Sequence, residues 1–132
     1  MFLLDYNTCL LFLEGSNKAV ADRLRGQRPS LVALSSMVKA QLLAHARSGK
    51  QVEERLDTLQ RFLAPVTILP FDDRCAEEYG QIRALLNTHD QDMPGDDLIN
   101  AATARANDAT LVTSAPTRFN NVSGLRMSNW CI

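Results

Sequence analysis

The chain begins with Met1-Phe2-Leu3-Leu4-Asp5, a short apolar run that ends in a carboxylate. A run of this length and composition is typical of a β-strand that is buried on both faces of a sheet. Similar runs, rich in branched side chains, follow at residues 31–34, 66–69 and 110–113. Helical spacing of apolar residues separates each run from the next. This alternation predicts an α/β fold: a three-layer α/β/α sandwich whose mostly parallel sheet has about four or five strands.

The helices predicted between these runs carry ordinary start and stop signals. Residues 36–48 begin with Ser36, a good helix cap, and stop at Gly49. Further helices are predicted at residues 52–62, 73–86 and 96–107. The last of them begins with Asp96 and Asp97, two acids at the positive end of the helix dipole. No repeat, linker or boundary is visible, so residues 1–132 are predicted to form a single domain.

The composition is that of an ordinary globular protein and excludes several classes of function. Of the 132 residues, 45% are hydrophobic, and the net charge of −1 leaves no broad cationic surface for duplex nucleic acid. The first apolar run is far shorter than the roughly 20 residues of a membrane span. The three cysteines lack metal-ligand spacing and indicate free thiols. We therefore expect a cytoplasmic protein that has no contact with a membrane.

Polar residues follow the predicted strands at the edge where ligands gather in open α/β sheets. Four residues come at or just after strand ends: Asp5, Ser35, Ser36 and Ser114. A crossover helix runs antiparallel to the strand it feeds, so Asp96 and Asp97 are expected at the same edge. Converging carboxylates repel one another unless a cation is present, and carboxylate oxygens are hard ligands for divalent cations. The pattern therefore predicts a divalent-metal site.

Five segments, spread over essentially the whole chain, give the strongest indication of function. They are Leu3-Leu4-Asp5-Tyr6-Asn7-Thr8-Cys9, Leu34-Ser35-Ser36-Met37-Val38-Lys39-Ala40-Gln41-Leu42, Asp97-Leu98-Ile99-Asn100-Ala101-Ala102, Leu111-Val112-Thr113-Ser114, and Val122-Ser123-Gly124-Leu125 with the ending that leads to Trp130. Their order and spacing resemble those of PIN-domain ribonucleases of the VapC toxin type. None is decisive alone, but together they make a chance match improbable.

The resemblance assigns a role to individual positions. Asp5 matches the first metal-binding carboxylate of the family and Asp97 the next aspartate. Gln41 stands where the family usually carries a glutamate, and Ser114 matches a fourth position that is often Asn or Asp. Three further polar residues would support the site: Asn7, Ser36 and Asp96.

The same resemblance implies an activity and partners. Its members are endoribonucleases that cleave RNA by water activated with Mg²⁺, for which Mn²⁺ can substitute. They act as the toxin of a type II toxin–antitoxin pair, so a small antitoxin protein and a homodimer are expected. Enteric relatives that cut initiator tRNA are the most similar in character, although no residue here selects one RNA class over another.

Gln41 departs from the pattern and puts full activity in doubt. An amide in place of a carboxylate removes one negative charge and a possible base at nearly unchanged shape. We therefore expect weak metal binding and slow cleavage. Two origins remain open: a naturally degenerate toxin, or a variant that was deliberately inactivated.

Other interpretations compete with the nuclease. Asp5 could simply cap a helix, and Asp96 and Asp97 could simply complement a helix dipole. The run Asp5-Tyr6-Asn7-Thr8 also resembles the aspartyl-nucleophile motif of haloacid-dehalogenase-like phosphatases, although the chain is short for that fold. A third alternative is a PIN-like module that binds RNA or protein without cutting.

Overall fold

The first strand lies at the centre of a five-stranded sheet in the computed structural model, which describes residues 1–132. The strands are β1 (Phe2–Leu4), β2 (Val32–Ser35), β3 (Thr67–Leu69), β4 (Thr110–Val112) and β5 (Met127–Ser128). Their spatial order is β3-β2-β1-β4-β5, and every neighbouring pair is parallel. This confirms the predicted α/β class and makes the sheet parallel throughout. The fifth strand has only two residues, too few to show a strand pattern in the sequence.

Six α-helices surround the sheet. They are α1 (Tyr6–Glu14), α2 (Lys18–Arg25), α3 (Ser36–Ala46), α4 (Val52–Leu63), α5 (Asp73–Thr88) and α6 (Gly95–Ala106). Two short 3₁₀ turns, Pro29–Leu31 and Pro116–Phe119, precede β2 and follow β4. None of the helices combines the length and the apolar character needed to span a bilayer.

Consecutive residues of the strands enter two separate cores, because side chains alternate between the faces of a sheet. Leu3 and Leu111 belong to one core, which also contains buried residues of α5 and α6. Leu4 and Val112 belong to the other, which contains buried residues of α1 to α4. The sheet is therefore covered on both faces, and the predicted three-layer sandwich is confirmed.

Helices α5 and α6 pack against each other as an antiparallel pair. Arg105 on α6 lies 2.5 Å from a carboxylate oxygen of Glu78 on α5. Farther along α5, the guanidinium of Arg83 donates hydrogen bonds of 3.3 Å to the carbonyl of Met93, just before α6 begins. The end of α5 thus lies beside the start of α6, which carries the two acids identified in the sequence.

Helix α3 begins at Ser36 as predicted, but the residue that caps it is different. Ser35, not Ser36, caps the helix, because its Oγ accepts a hydrogen bond of 3.1 Å from the amide of Val38. The strand β2 continues to Ser35, so the capping hydroxyl is buried and Ser36 is exposed on the first turn. The sequence offered two adjacent serines, and only the depth of the strand distinguishes them.

The central position of β1 leads to a prediction about stability. Leu3 is fully buried between β2 and β4, so we expect Leu3→Ala to lower the free energy of unfolding by about 2–5 kcal/mol. Leu85→Ala is a matched control, because Leu85 is 44% exposed on α5, and its effect should stay within about 0.5 kcal/mol. Urea denaturation followed by circular dichroism measures both. Equal losses in the two variants would contradict the assignment of β1 to the centre of the sheet.

Candidate functional site

Asp5 joins the end of β1 to the start of α1. Its amide donates a hydrogen bond of 3.0 Å to the carbonyl of Val112 on β4, which fixes its backbone at the carboxyl edge of the sheet. Its Oδ1 caps α1 by accepting a hydrogen bond of 2.8 Å from the amide of Thr8. The residue is only 9% exposed. Capping uses one carboxylate oxygen, and no protein group donates a hydrogen bond to Oδ2.

Asp97 lies in the first turn of α6 and is also 9% exposed. Burial raises the pKa of its carboxyl above the usual value, because the charged form loses solvation. The guanidinium of Arg118, which contacts Oδ2, lowers the pKa in part, while the negative charges of Asp96 and Asp5 raise it. Asp5 and Asp97 are therefore close enough to act on each other electrostatically, as the sequence predicted.

Asp96 and Gln41 form the second contact of the cluster. The Gln41 side-chain amide donates a hydrogen bond of 3.1 Å from Nε2 to Oδ2 of Asp96. The other oxygen of Asp96 accepts a hydrogen bond of 3.0 Å from the backbone amide of Asp97. Position 41 thus faces the acids as the resemblance implies, but it presents N–H groups to Asp96. A glutamate there would place a second carboxylate against Asp96.

A buried polar pair connects α6 to the start of α3. Ser35 Oγ donates a hydrogen bond of 2.6 Å to Oδ1 of Asn100, which lies one helical turn after Asp96 and Asp97. Both residues of the pair are at most 5% exposed. This bond fixes the rotation of α6 relative to the sheet edge. In the sequence Asn100 is part of a motif, and no local signal predicts a role for it.

Arg118 is the principal residue that sequence reasoning missed. It lies on the 3₁₀ turn Pro116–Phe119, which follows β4 at the same edge of the sheet. Phe119 is 2% exposed and anchors the turn, and the amide of Ala115 bonds to Thr113 Oγ1 at 3.1 Å. The signal available in the sequence was a basic residue shortly after a strand end, which is weak without knowledge of the turn.

Three predicted supporting residues remain at the margin. Asn7, Ser36 and Ser114 are exposed, and their side chains make no hydrogen bonds to the protein. Each nevertheless adjoins the edge that carries the acids, in the first turn of α1, in the first turn of α3 and directly after β4 respectively. The structure therefore leaves their roles as predictions.

Two cysteine thiols also lie near Asp5. Burial, and to a smaller extent the charge of Asp5, raises the pKa of both Cys9 and Cys131, so these thiols stay protonated at neutral pH. All three cysteines of the chain are free, as predicted. They add no negative charge to the cluster.

The acids suit a divalent cation in type and in position, although they do not form a complete cage. No group of three or more His, Cys, Asp or Glu side chains has the geometry of a metal site. Two carboxylates, Asp5 and Asp97, share the edge, while Asp96 is engaged by Gln41. Mg²⁺ commonly binds through one or two carboxylates and keeps several waters, so this oxygen donor set fits it.

Comparison with known proteins places these residues in context. A family model described as PIN domain matches residues 2–125. The chain is 28% identical to "Ribonuclease VapC2" of Rickettsia felis over 131 residues, covering 98% of each protein. It is 27% identical to a "tRNA(fMet)-specific endonuclease VapC" of Shigella flexneri over 129 residues, covering 98% of this chain and 97% of the relative. A crystal structure of VapBC2 from Rickettsia felis bound to promoter DNA superposes with a TM-score of 0.90, at 28% identity and 98% coverage of both chains.

The raised pKa of Asp97 leads to a prediction about stability. The folded state disfavours the charged form of Asp97, so the folded protein is most stable when this carboxyl is protonated. That stability is fully present below the ordinary pKa of 3.8. It is lost as the pH rises from 3.8 through the raised pKa of the folded state. Asp97→Asn should therefore have a higher free energy of unfolding than the parent at pH 7. The difference should shrink as the pH falls, because the carboxyl becomes neutral in both states.

Urea denaturation between about pH 3 and pH 7 measures this difference. Asp108→Asn is the control, because Asp108 is exposed and pairs with Arg126. The backbone of Asp108 is left-handed, with φ of 52°, a conformation that asparagine also adopts readily. A parent more stable than Asp97→Asn at pH 7 would mean that the pairing with Arg118 outweighs the cost of burial.

Proposed function

Because the chain belongs to the PIN domain family and is similar along its whole length to VapC-type ribonucleases, we propose that it is a divalent-metal-dependent endoribonuclease. We propose further that it acts as the toxin of a toxin–antitoxin pair and that residues 1–132 form its one nuclease domain. The observation that carries the metal site is the burial of Asp5 and Asp97 beside each other at the carboxyl edge of the sheet.

Each proposed role follows from the geometry of a side chain. Asp5 offers the carboxylate oxygen that does not cap α1, and Asp97 offers oxygens held at the start of α6. Mg²⁺, or Mn²⁺ in its place, would supply water activation and neutralisation of charge on the phosphate. Gln41 orients Asp96 and leaves the site one negative charge short of a site with glutamate at that position. In-line attack by water on a phosphodiester would leave a 5′-phosphate and a 3′-hydroxyl.

RNA is the proposed substrate, and initiator tRNA is the first RNA to test. The support is the relative named for cleavage of tRNA(fMet), with which this chain shares 27% identity along nearly its whole length. The exposed side chains of Asn7, Ser36 and Ser114 lie at the same edge of the sheet as the acids and are available to contact a nucleic acid strand. The chain as a whole has no excess of basic residues, with 14 Lys and Arg against 15 Asp and Glu, so we expect any RNA contact to be local.

A small antitoxin protein is the proposed partner. The support is the structural likeness to VapBC from Rickettsia felis and to a FitAB complex bound to DNA, with TM-scores of 0.90 and 0.89. A homodimer of the chain is proposed on the same family grounds. An antitoxin that placed a basic side chain among the acids would satisfy the same electrostatics as a metal ion.

A module that binds RNA or protein without cleaving it is the second candidate, and one observation favours it. Protein N–H groups already engage two of the acids, because Arg118 pairs with Asp97 and Gln41 bonds to Asp96. The phosphatase alternative is set aside, since the family model that matches nearly the whole chain is that of the PIN domain.

Gln41→Glu is expected to strengthen both metal binding and cleavage. Without metal the new carboxylate faces Asp96, so the variant should melt at a lower temperature than the parent. Mg²⁺ or Mn²⁺ should raise its melting temperature more than that of the parent, because binding stabilises the folded state. Cleavage of initiator tRNA and of a small-RNA pool should increase about tenfold or more, stop with chelator, and leave 5′-phosphate ends.

The two proteins are compared with Mg²⁺, with Mn²⁺ and with chelator. Gln51→Glu, at the exposed N-cap of α4 and away from the acids, is the matched control: any change in its melting temperature should be the same with metal and with chelator, and cleavage should not change. If neither the parent nor Gln41→Glu binds metal or cuts any RNA, the nuclease proposal fails and the binding-module alternative gains support.

Asp5→Asn is expected to abolish residual cleavage while the fold stays intact. Asparagine caps helices as well as aspartate does, so the hydrogen bond from Thr8 is retained and stability should change by less than about 1 kcal/mol. Only the charge for the cation is lost. Undiminished chelator-sensitive cleavage in a variant with normal circular dichroism would contradict the assignment of Asp5 to the metal site.

A further inference from the structure

Arg118 is a cation supplied by the chain itself at the proposed metal site. We propose that Arg118 is a substrate-positioning residue with two successive partners: Asp97 in the free protein, and a phosphate of the RNA once a divalent cation occupies Asp97. This inference rests on the proposed function, because it presumes a metal and an RNA at this edge. It assigns a role to a residue that the sequence pattern left without one.

The first argument is the position of the guanidinium. Arg118 contacts Oδ2 of Asp97, which is an oxygen that a cation at this site would need. The arginine side chain is 45% exposed, whereas that of Asp97 is 12% exposed. The pair therefore lies at the opening of the site, with the arginine on the solvent side. An incoming RNA would meet the arginine before it met the buried carboxylate.

The second argument is that the exchange requires movement of one side chain only. The turn Pro116–Phe119 is anchored by the buried ring of Phe119, and the amide of Arg118 donates a hydrogen bond of 3.1 Å to the carbonyl of Ala115. The backbone of Arg118 is thus fixed at the edge. Its long side chain can change partner by rotamer changes, without rearrangement of the turn.

The third argument is chemical. A guanidinium binds carboxylates and phosphates through the same planar fork of N–H donors. A divalent cation bound to Asp97 neutralises the negative charge that attracts Arg118. The cation also repels the positively charged guanidinium. The arginine then lacks a partner at the moment when a phosphate approaches the cation. Both events favour transfer of the guanidinium from carboxylate to phosphate.

A second arginine, Arg83, does not have two such alternative partners. Arg83 also lies near the start of α6, but both of its terminal nitrogens bond to the carbonyl of Met93 at 3.3 Å. Its guanidinium lies 5.8 Å from the centre of the Tyr79 ring. It is thereby held by backbone and ring and has no contact with the acids. Arg118 is the one basic residue that pairs with an acid of the site.

Two measurements on the full chain test the proposal. The first is the affinity for Mn²⁺, read from the electron paramagnetic resonance signal of the free ion, in the parent, Arg118→Gln and Arg118→Lys. Arg118→Gln should bind Mn²⁺ about three- to tenfold more tightly, because Asp97 has lost its competing cation. Arg118→Lys should stay close to the parent, since the charge is kept. Circular dichroism verifies that all variants are folded.

The second measurement is binding of unfractionated tRNA in saturating Ca²⁺ over a range of salt concentrations. Arg118→Gln should bind about three- to tenfold more weakly, and the salt dependence should fall by about 0.7 in log–log slope, as for loss of one contact to a single-stranded phosphate. Arg118→Lys should retain the slope. Arg126→Gln is the matched control, because Arg126 is similarly exposed at 57% and pairs with Asp108 instead of with a site acid. It should change neither quantity.

The outcomes separate this inference from the proposed function. Mn²⁺ binding that is lost in Asp97→Asn but is equal in the parent and Arg118→Gln leaves the metal site standing and overturns the role of Arg118. Tighter Mn²⁺ binding in Arg118→Gln with unchanged tRNA binding also overturns it, because no phosphate has then been lost. Absence of Mn²⁺ binding in both the parent and Gln41→Glu refutes the proposed function itself.

Discussion

The burial of two like charges beside each other is the constraint on which the site depends. Asp5 and Asp97 lie far apart in the sequence, and each has lost most of its contact with water. A hydrophobic core gains nothing from such a pair, and burial raises the pKa of Asp97, with a small further contribution from the charge of Asp5. The surrounding structure offsets this cost locally. Asp5 caps α1, Asp97 lies at the positive end of α6, and Arg118 supplies a compensating charge.

The sheet order explains how residues so far apart in sequence meet. The central strand β1 has β4 as its neighbour, and α6 leads into β4, so the start of that helix returns to the edge where β1 ends. The bond between Ser35 and Asn100 then fixes α6 against the start of α3. That contact also aligns Asp96 with Gln41. A parallel sheet with short strands therefore acts as a rigid frame for five side chains: Asp5 at a strand end, Gln41 on α3, Asp96 and Asp97 on α6, and Arg118 on the 3₁₀ turn.

The amino-acid sequence predicted the fold well because apolar runs and helical periodicity are local signals. It also predicted that Asp5 and Asp97 converge, since the direction of a crossover helix follows from chain order alone. It failed at Ser36, where burial of the neighbouring Ser35 decides which hydroxyl caps α3. It missed Arg118, because a turn of four residues between β4 and β5 determines where that side chain points. The spacing of apolar residues predicts helices and strands, but it does not predict contacts that depend on the path of a loop.

The two departures from an all-acidic site, Gln41 and Arg118, have a common electrostatic effect. Three carboxylates and one guanidinium give the cluster a lower negative charge than four carboxylates would, so the acids can persist without a metal ion. A site of four carboxylates without an arginine would need a cation from outside, either a metal ion or a basic side chain of a partner. In this chain Arg118 already supplies part of that positive charge. Any partner that silences the site by inserting a basic side chain must therefore displace Arg118 or make use of it. Under the proposed function, a metal ion or a basic side chain of an antitoxin would compete with Arg118 for the carboxylate of Asp97, and an RNA phosphate would compete with Asp97 for Arg118.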